Sequence, residues 1–173
     1  MKPTSPQETK PEAHHESING RLAKSLENQR NEIIDEWLRR VREDPAIPTD
    51  SLTLLQVQDH LPQLLHDLTQ TLSRYGSEAV SDQSDKDGEE HGSARWQQGF
   101  ELPEMLRELM HFRYILIQRL GSFESSNKDF GMAAKLFVTT TLHRFLDRMG
   151  INATEQFLTQ GLQERQIARE TGV

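Results

Sequence analysis

The chain has 173 residues, no cysteine, and 27 acidic against 20 basic side chains, for a formal net charge of −7. That length is one domain with room for a real core. Without cysteine there is no disulfide framework, thiol nucleophile or cysteine-ligated zinc or iron–sulfur site. No apolar run reaches the roughly eighteen residues of a membrane span, and the N-terminus MKPTSPQETKPEAHHES lacks the apolar centre of a signal peptide, so the expectation is a cytoplasmic protein. Most of the charge is local: residues 1–17 carry −1 and residues 76–90 carry −5, leaving −1 on everything else. No basic stripe follows a phosphate backbone, which argues against nucleic acid as a partner.

Residues 1–17, rich in Pro, Glu, Thr and Ser, cannot bury enough apolar surface to offset their chain entropy and read as a disordered tail. His14 and His15 within it are read as solvated. A first helix is predicted from Ile18 to Arg42, with Leu22, Leu26, Ile33, Ile34, Trp37, Leu38 and Val41 on its buried face and Arg30 in the same stripe. Asp44–Pro45 and Pro48 end it. Trp37 is its largest buried side chain, and its indole N–H requires an acceptor. Asp50 or Ser51 caps a short turn bearing Leu52, Leu54 and Leu55. The next helix starts near Asp59, places Pro62 in its first turn, buries Leu61, Leu64, Leu65, Leu68 and Leu72, and ends near Tyr75–Gly76.

The segment 76–90, GSEAVSDQSDKDGEE, is acidic and without period, and reads as a long mobile loop. Residues 91–98 return to helix and Gly99 breaks it. A long amphipathic helix then starts at Leu102, with Pro103 in the first turn, where proline costs no hydrogen bond. Its stripe is Leu102, Met105, Leu106, Leu109, Phe112, Leu116, Ile117 and Leu120. Residues 121–127 read as a turn with Ser126 or Asn127 capping the last helix. That helix carries Phe130, Ala133, Ala134, Phe137, Leu142, Phe145, Leu146 and Met149, passes through Gly150 at a cost of about 1 kcal/mol, and continues to about Arg169.

From Leu142 the spacing Leu142, Leu146, Met149, Ala153, Gln156, Gln160, Gln163, Ile167 alternates four and three, a heptad seam weakened by the glutamines that follow Met149. It reads as a homodimer contact or a connector to an output domain; the other reading is a solvated terminal helix. The whole is predicted to be all-α: about five helices in a bundle over residues 18–160, with 161–173 as connector and tail.

Chemical motifs are sparse. Glu108 and His111 have the Glu-x-x-His spacing of di-iron bundles, but such a site needs a second pair and further glutamates. His60, His66, His111 and His143 are conceivable axial ligands for haem in a helical bundle, so a haem- or metal-binding sensor is the alternative reading. No nucleophile elbow, P-loop, dinucleotide fingerprint or zinc-protease spacing is present, and His143–Arg144–Phe145 lacks the Glu–Pro context of a phosphoacceptor histidine. The sequence therefore points away from an enzyme and assigns no cofactor.

Two segments carry a family resemblance. One comprises IIDEWLRRV (33–41) and DHLPQLLHDLTQTL (59–72). The other runs from His91 to Ile117 through Arg95, Gly99, Phe100, Leu102, Leu106, Arg107, Glu108, Leu109 and Arg113. Together they resemble the N-terminal domain of RsbR/RsbD-type bacterial stress-signalling co-antagonists, also found in front of many sensor histidine kinases of two-component systems. The resemblance implies a globin-like sensory module without haem, usually a homodimer, passing its signal to a STAS domain or histidine-kinase core in cis or in trans. The chain ends at Val173 where a connector would lead on, so the expectation is an excised input domain or a free-standing version. On this reading Trp37, His91, Arg95, Glu108 and Arg113 are the positions for a ligand or signal, although for Glu108 a packing salt bridge with a neighbouring helix is the favoured expectation.

Overall fold

The computed structural model describes residues 17–47, 49, 53, 61–73 and 80–171, and among them every regular element is helical. Among the described residues there are six helices, α1 (Ile18–Asn28), α2 (Arg30–Glu43), α3 (Leu61–Ser73), α4 (Val80–Gln97), α5 (Leu102–Ser126) and α6 (Met132–Thr171). The tail 1–16, the turn at Leu52–Leu55, the start near Asp59, His60 and the end at Tyr75–Gly76 lie outside the described residues.

The helix predicted over 18–42 is two helices. At Gln29 the backbone turns to φ −94°, ψ 9°, and the Gln29 amide donates to the Ser25 carbonyl at 3.1 Å and accepts from Arg119 Nη1 at 3.0 Å. The apolar spacing survives the break, because Leu22 and Leu26 on α1 and Ile33, Ile34, Trp37 and Val41 on α2 are all buried. Arg30 closes the junction by donating to Glu27 at 3.1 Å and to the Pro62 carbonyl at 3.0 Å. α3 follows its predicted pattern, with Pro62 in the first turn and Leu61, Leu64, Leu65, Leu68 and Leu72 inside.

The expected loop over 76–90 is helical from Val80 onward. An apolar period does not mark it, because its period is written in glycines and charges. Cβ atoms built on Gly88 and Gly92 would lie 2.5 Å from the Met149 carbonyl oxygen and 2.2 Å from that of Ala153. α4 therefore lies backbone against backbone on α6, an approach only glycine permits. Asp85, one turn earlier, accepts from Arg148 Nε at 2.9 Å and Asn152 Nδ2 at 2.5 Å. Trp96, one turn later, meets Phe157 edge-on at 5.0 Å between ring centroids and donates to Glu164 at 2.8 Å. The rising order of these contacts shows that α4 and α6 run parallel.

Gly99, at φ +79°, ends α4. The Gly99 N–H reaches the Trp96 carbonyl and the Phe100 N–H the Arg95 carbonyl, both at 3.0 Å, the paired closure of a helix that finishes on a left-handed glycine. The chain reverses into α5, whose first turn is held by Glu104 accepting from the Glu101 N–H at 2.6 Å. The turn expected at 121–127 is helix as far as Ser126. Ser122, Ser125 and Ser126 hydroxyls bond back to carbonyls four residues earlier at 2.9–3.1 Å, and Phe123 is buried against Phe130. α6 runs antiparallel to α5, with Arg113 paired to Asp147, and continues unbroken through Gly150 and Gly161 to Thr171.

Candidate functional site

α5 buries Met105, Glu108, Phe112, Ile115 and Leu116. That is a rotated version of the predicted stripe: Leu106 and Ile117 are 37% and 45% exposed, and a glutamate occupies the centre of the apolar face. A carboxylate there requires compensation, since an ion removed from water without a partner costs several kcal/mol.

The compensation comes from α4. Asp87, His91 and Arg95 recur every four residues, so they share one face of that helix, and each is at most 5% exposed. Arg95 Nε donates to Glu108 Oε2 at 2.6 Å, and His91 Nε2 lies 3.5 Å from the same oxygen. Arg95 Nη1 donates to Gln98 Oε1 at 2.5 Å, and its guanidinium sits 5.1 Å from the Phe100 ring centroid. From the other side Trp37 Nε1 of α2 donates to the Glu108 backbone carbonyl at 3.0 Å, the acceptor its indole requires.

Three of the five signal candidates, Trp37, His91 and Arg95, thus meet at a fourth, Glu108. Arg113 does not join them. It pairs with Asp147 at the surface, where α5 meets α6. The converging groups join three helices by charge-assisted and backbone hydrogen bonds. Grooves also lie along α2 and α5. One of about 310 Å³ is lined by Arg40, Asp44, Arg107, Met110, His111 and Tyr114. In it His111 Nε2 donates to Asp44 at 2.8 Å and Arg40 stacks on Tyr114 at 4.6 Å. The His111 hydrogen bond, helped by the Ala46 N–H, holds the Asp44 carboxyl below its usual range.

The haem candidates among the described residues are dispersed. His66 is 3.9 Å from Glu27 on the α1–α3 face, His111 serves Asp44, and His143 is half-buried on α6. Among the described residues no three His, Asp or Glu side chains could hold a metal ion together, and no helix is long and apolar enough to cross a membrane. Of the heptad seam, Leu142, Leu146, Met149 and Ala153 lie inside this chain's own bundle, at 0–3% exposure, while Gln156 and Gln160 are half-buried. A different face of α6 therefore looks outward.

The family model for the RsbT co-antagonist protein rsbRD N-terminal domain matches residues 31–171. The chain belongs to this family. No curated protein and no solved structure matches it. The match extends across the Glu108 cluster and to the last turn of α6, so this RsbRD N-terminal domain contains both the buried charge centre and the helix that leaves it. Sequence reasoning missed Asp87, Gly88, Gly92 and Gly161. Their signal was the four-residue recurrence of Asp87, His91 and Arg95 beside the glycine pair, within a stretch whose acidity looked like solvation.

Proposed function

We propose that this RsbRD N-terminal domain is a non-catalytic input domain of bacterial stress signalling. It works as a homodimer by repacking helices toward a histidine-kinase or STAS-type output in cis or in trans. The observation that supports this reading is the position of α4. One of its faces is ionically tied to Glu108 of α5, and its glycine face rides directly on the α6 backbone. Small residues leave few interdigitating side chains to resist sliding. A perturbation of the His91–Arg95–Glu108 cluster then shifts α4, and α4 carries α6 with it. The two-state element is the α4–α6 contact, biased by the charge cluster.

The test uses the absence of native cysteine. Spin labels at Lys86→Cys and Arg169→Cys report the distance from α4 to the end of α6, with and without Glu108→Gln. Binding to the STAS and kinase proteins of the same genome is measured in parallel. A changed distance distribution together with altered partner binding supports coupling. A folded Glu108→Gln variant with unaltered distances and unaltered binding would overturn it.

A further inference from the structure

We infer that the groove between α2 and α5 is a binding site for a small organic carboxylate, an anion carrying a compact apolar body. The inference deepens the input-domain reading above and rests on it for the purpose of such a ligand, since it names the chemistry of the signal. Three pairs of residues build the groove: Arg40 and Asp44 on α2, Arg107 and His111 on α5, and Met110 and Tyr114 on α5. The members of each pair are four residues apart, so the site is one step of about 6 Å along either helix. Its volume of about 310 Å³ lies at the small end of ligand pockets and suits an occupant of on the order of ten non-hydrogen atoms.

The charges select an anion. Among the described residues that line the groove Asp44 is the one acid, and both its oxygens are occupied: Oδ1 accepts from the Ala46 N–H at 3.0 Å and Oδ2 from His111 at 2.8 Å. Arg40 is fixed in the wall by Nε, which donates to Glu36 at 2.7 Å, and by its stacking on Tyr114. Arg107 is 51% exposed and stays 3.9 Å from Asp44, beyond hydrogen-bond distance, so a carboxylate accepting from it gains a new charge-assisted contact. Met110 and Tyr114, 67% and 49% exposed, supply an apolar wall that a hydrocarbon body uses and a bare inorganic anion does not. The larger groove farther along α5, about 510 Å³, has no such surplus: Glu36 shares its lining, and its one cation, Arg119, donates to Gln29 and Glu32. The apolar row of α5 runs on to Leu106 and Ile117, as a partner helix would need, but the charge does not run with it. Outside the groove lining the cation nearest that row, Arg113, is held by Asp147. Cations gathered in one helical step favour a small molecule over a helix. The site also adjoins the buried charge centre: Arg107 precedes Glu108, His111 follows it by one turn, and Trp37 of α2 donates to the Glu108 carbonyl. A ligand that draws α2 and α5 together therefore acts on the backbone that holds the centre.

The probe is sodium benzoate, titrated into the full chain at constant ionic strength and followed by amide NMR. Saturable shifts confined to residues 40–44 and 107–114 are expected. Isovalerate should behave alike, while acetate and benzyl alcohol, which lack the body or the charge, should each bind about tenfold more weakly. Arg107→Gln and Met110→Asp, both at exposed positions and checked for folding by circular dichroism, should each weaken benzoate about tenfold, and Arg165→Gln on α6 should not. No saturable shift from benzoate or isovalerate up to about 20 mM, above the millimolar range of probes this small, would overturn the site. Shifts scattered over exposed arginines, Arg165 among them, would show adventitious anion binding only and overturn it too. So would a benzoate response that Arg107→Gln leaves unchanged, or a silent groove whose α5 row shifts instead on adding the output proteins, which would assign the face to a protein partner. The spin labels at Lys86→Cys and Arg169→Cys, measured with benzoate bound, separate the two readings. An altered distance joins the site to the input mechanism; an unaltered one leaves the site standing and overturns its role as the signal. Loss of the site leaves the Glu108→Gln test of that mechanism untouched.

Discussion

Glu108 shows how one side chain can set the rotation of a helix. Its aliphatic neighbours would let α5 bury either Leu106 and Ile117 or Met105 and Ile115, since all are apolar. The Arg95 guanidinium decides the matter, because it offers a partner only to a glutamate turned inward. Glu108→Gln removes the Glu108 charge that faces Arg95, itself 1% exposed, and should cost about 3–5 kcal/mol in chemical denaturation. Replacing both partners, Arg95→Met with Glu108→Leu, should recover more than half of that loss, because the desolvation of two ions is removed along with their attraction. A double variant no more stable than Glu108→Gln would mean that the pair contributes net stability.

Asp44 gives the corresponding pH dependence. Its folded carboxyl is held below the ordinary aspartate value of 3.8, chiefly by His111. A depressed folded pKa contributes stability that is fully present above the unfolded value and is lost as pH falls through the folded one. Asp85, held down by Arg148, and Glu36, held down by Arg40, act in the same direction. Urea titrations from about pH 2 to 5 should therefore show stability rising with pH until about pH 4–5. In His111→Ala the rise should be shallower, with the variant's deficit shrinking toward the acid end. A deficit that stayed constant across this range would refute the assignment to Asp44.

Among the elements, α4 and α6 test whether glycine is there for approach or by accident. Intrinsic propensity alone makes Gly→Ala in a helix interior worth nearly 1 kcal/mol of added stability. At Gly121, where an added Cβ meets nothing within 4 Å, that gain should be realised. At Gly92 the same methyl would sit 2.2 Å from the Ala153 carbonyl oxygen, a backbone atom that cannot move aside. Gly92→Ala should therefore destabilise by roughly 1–3 kcal/mol despite its better propensity. Opposite signs for these two substitutions in thermal or urea unfolding are the expected result; equal signs would mean that the helices readily separate. Gly161, whose added Cβ would press on the Trp96 ring at 2.8 Å, should behave like Gly92, softened by the side-chain nature of its neighbour.

For the whole molecule, the final helix divides into a structural and a projecting part. Through Glu164 it is tied to α4, since Trp96 donates to that carboxylate and Phe157 and Gly161 lie beneath the same ring. From Arg165 to Thr171 all residues except the half-buried Ala168 are exposed. A chain ending at Glu164 should keep its unfolding midpoint within a few degrees of the full chain. It should nevertheless weaken the homodimer and output coupling proposed above, because the projecting end of α6 is gone. Cutting before Ala153 instead should unfold the bundle, by removing core that α4 requires.

Much of this bundle could be read from spacing. The leucines of α3, the break at Gly99, the start of α5 at Leu102 and the passage of α6 through Gly150 all follow from apolar periodicity and local backbone preferences, which act within a few residues and are written in the chain itself. The acidic stretch before His91 could not be read in that way. A helix built from Gly, Ser, Asp and Glu gains nothing from its own side chains, and it forms because α6 accepts its glycines and Glu108 its cations. The same holds for the convergence of Trp37, His91 and Arg95 on Glu108, and for which face of α6 remains exposed. Local physics thus determined the course of the apolar helices, while the break at Gln29, the helix over the acidic stretch, the rotation of each helix and the partner of each buried charge were decided only when distant segments met. Close approach and charge compensation are properties of pairs of helices, and no single stretch of sequence contains them.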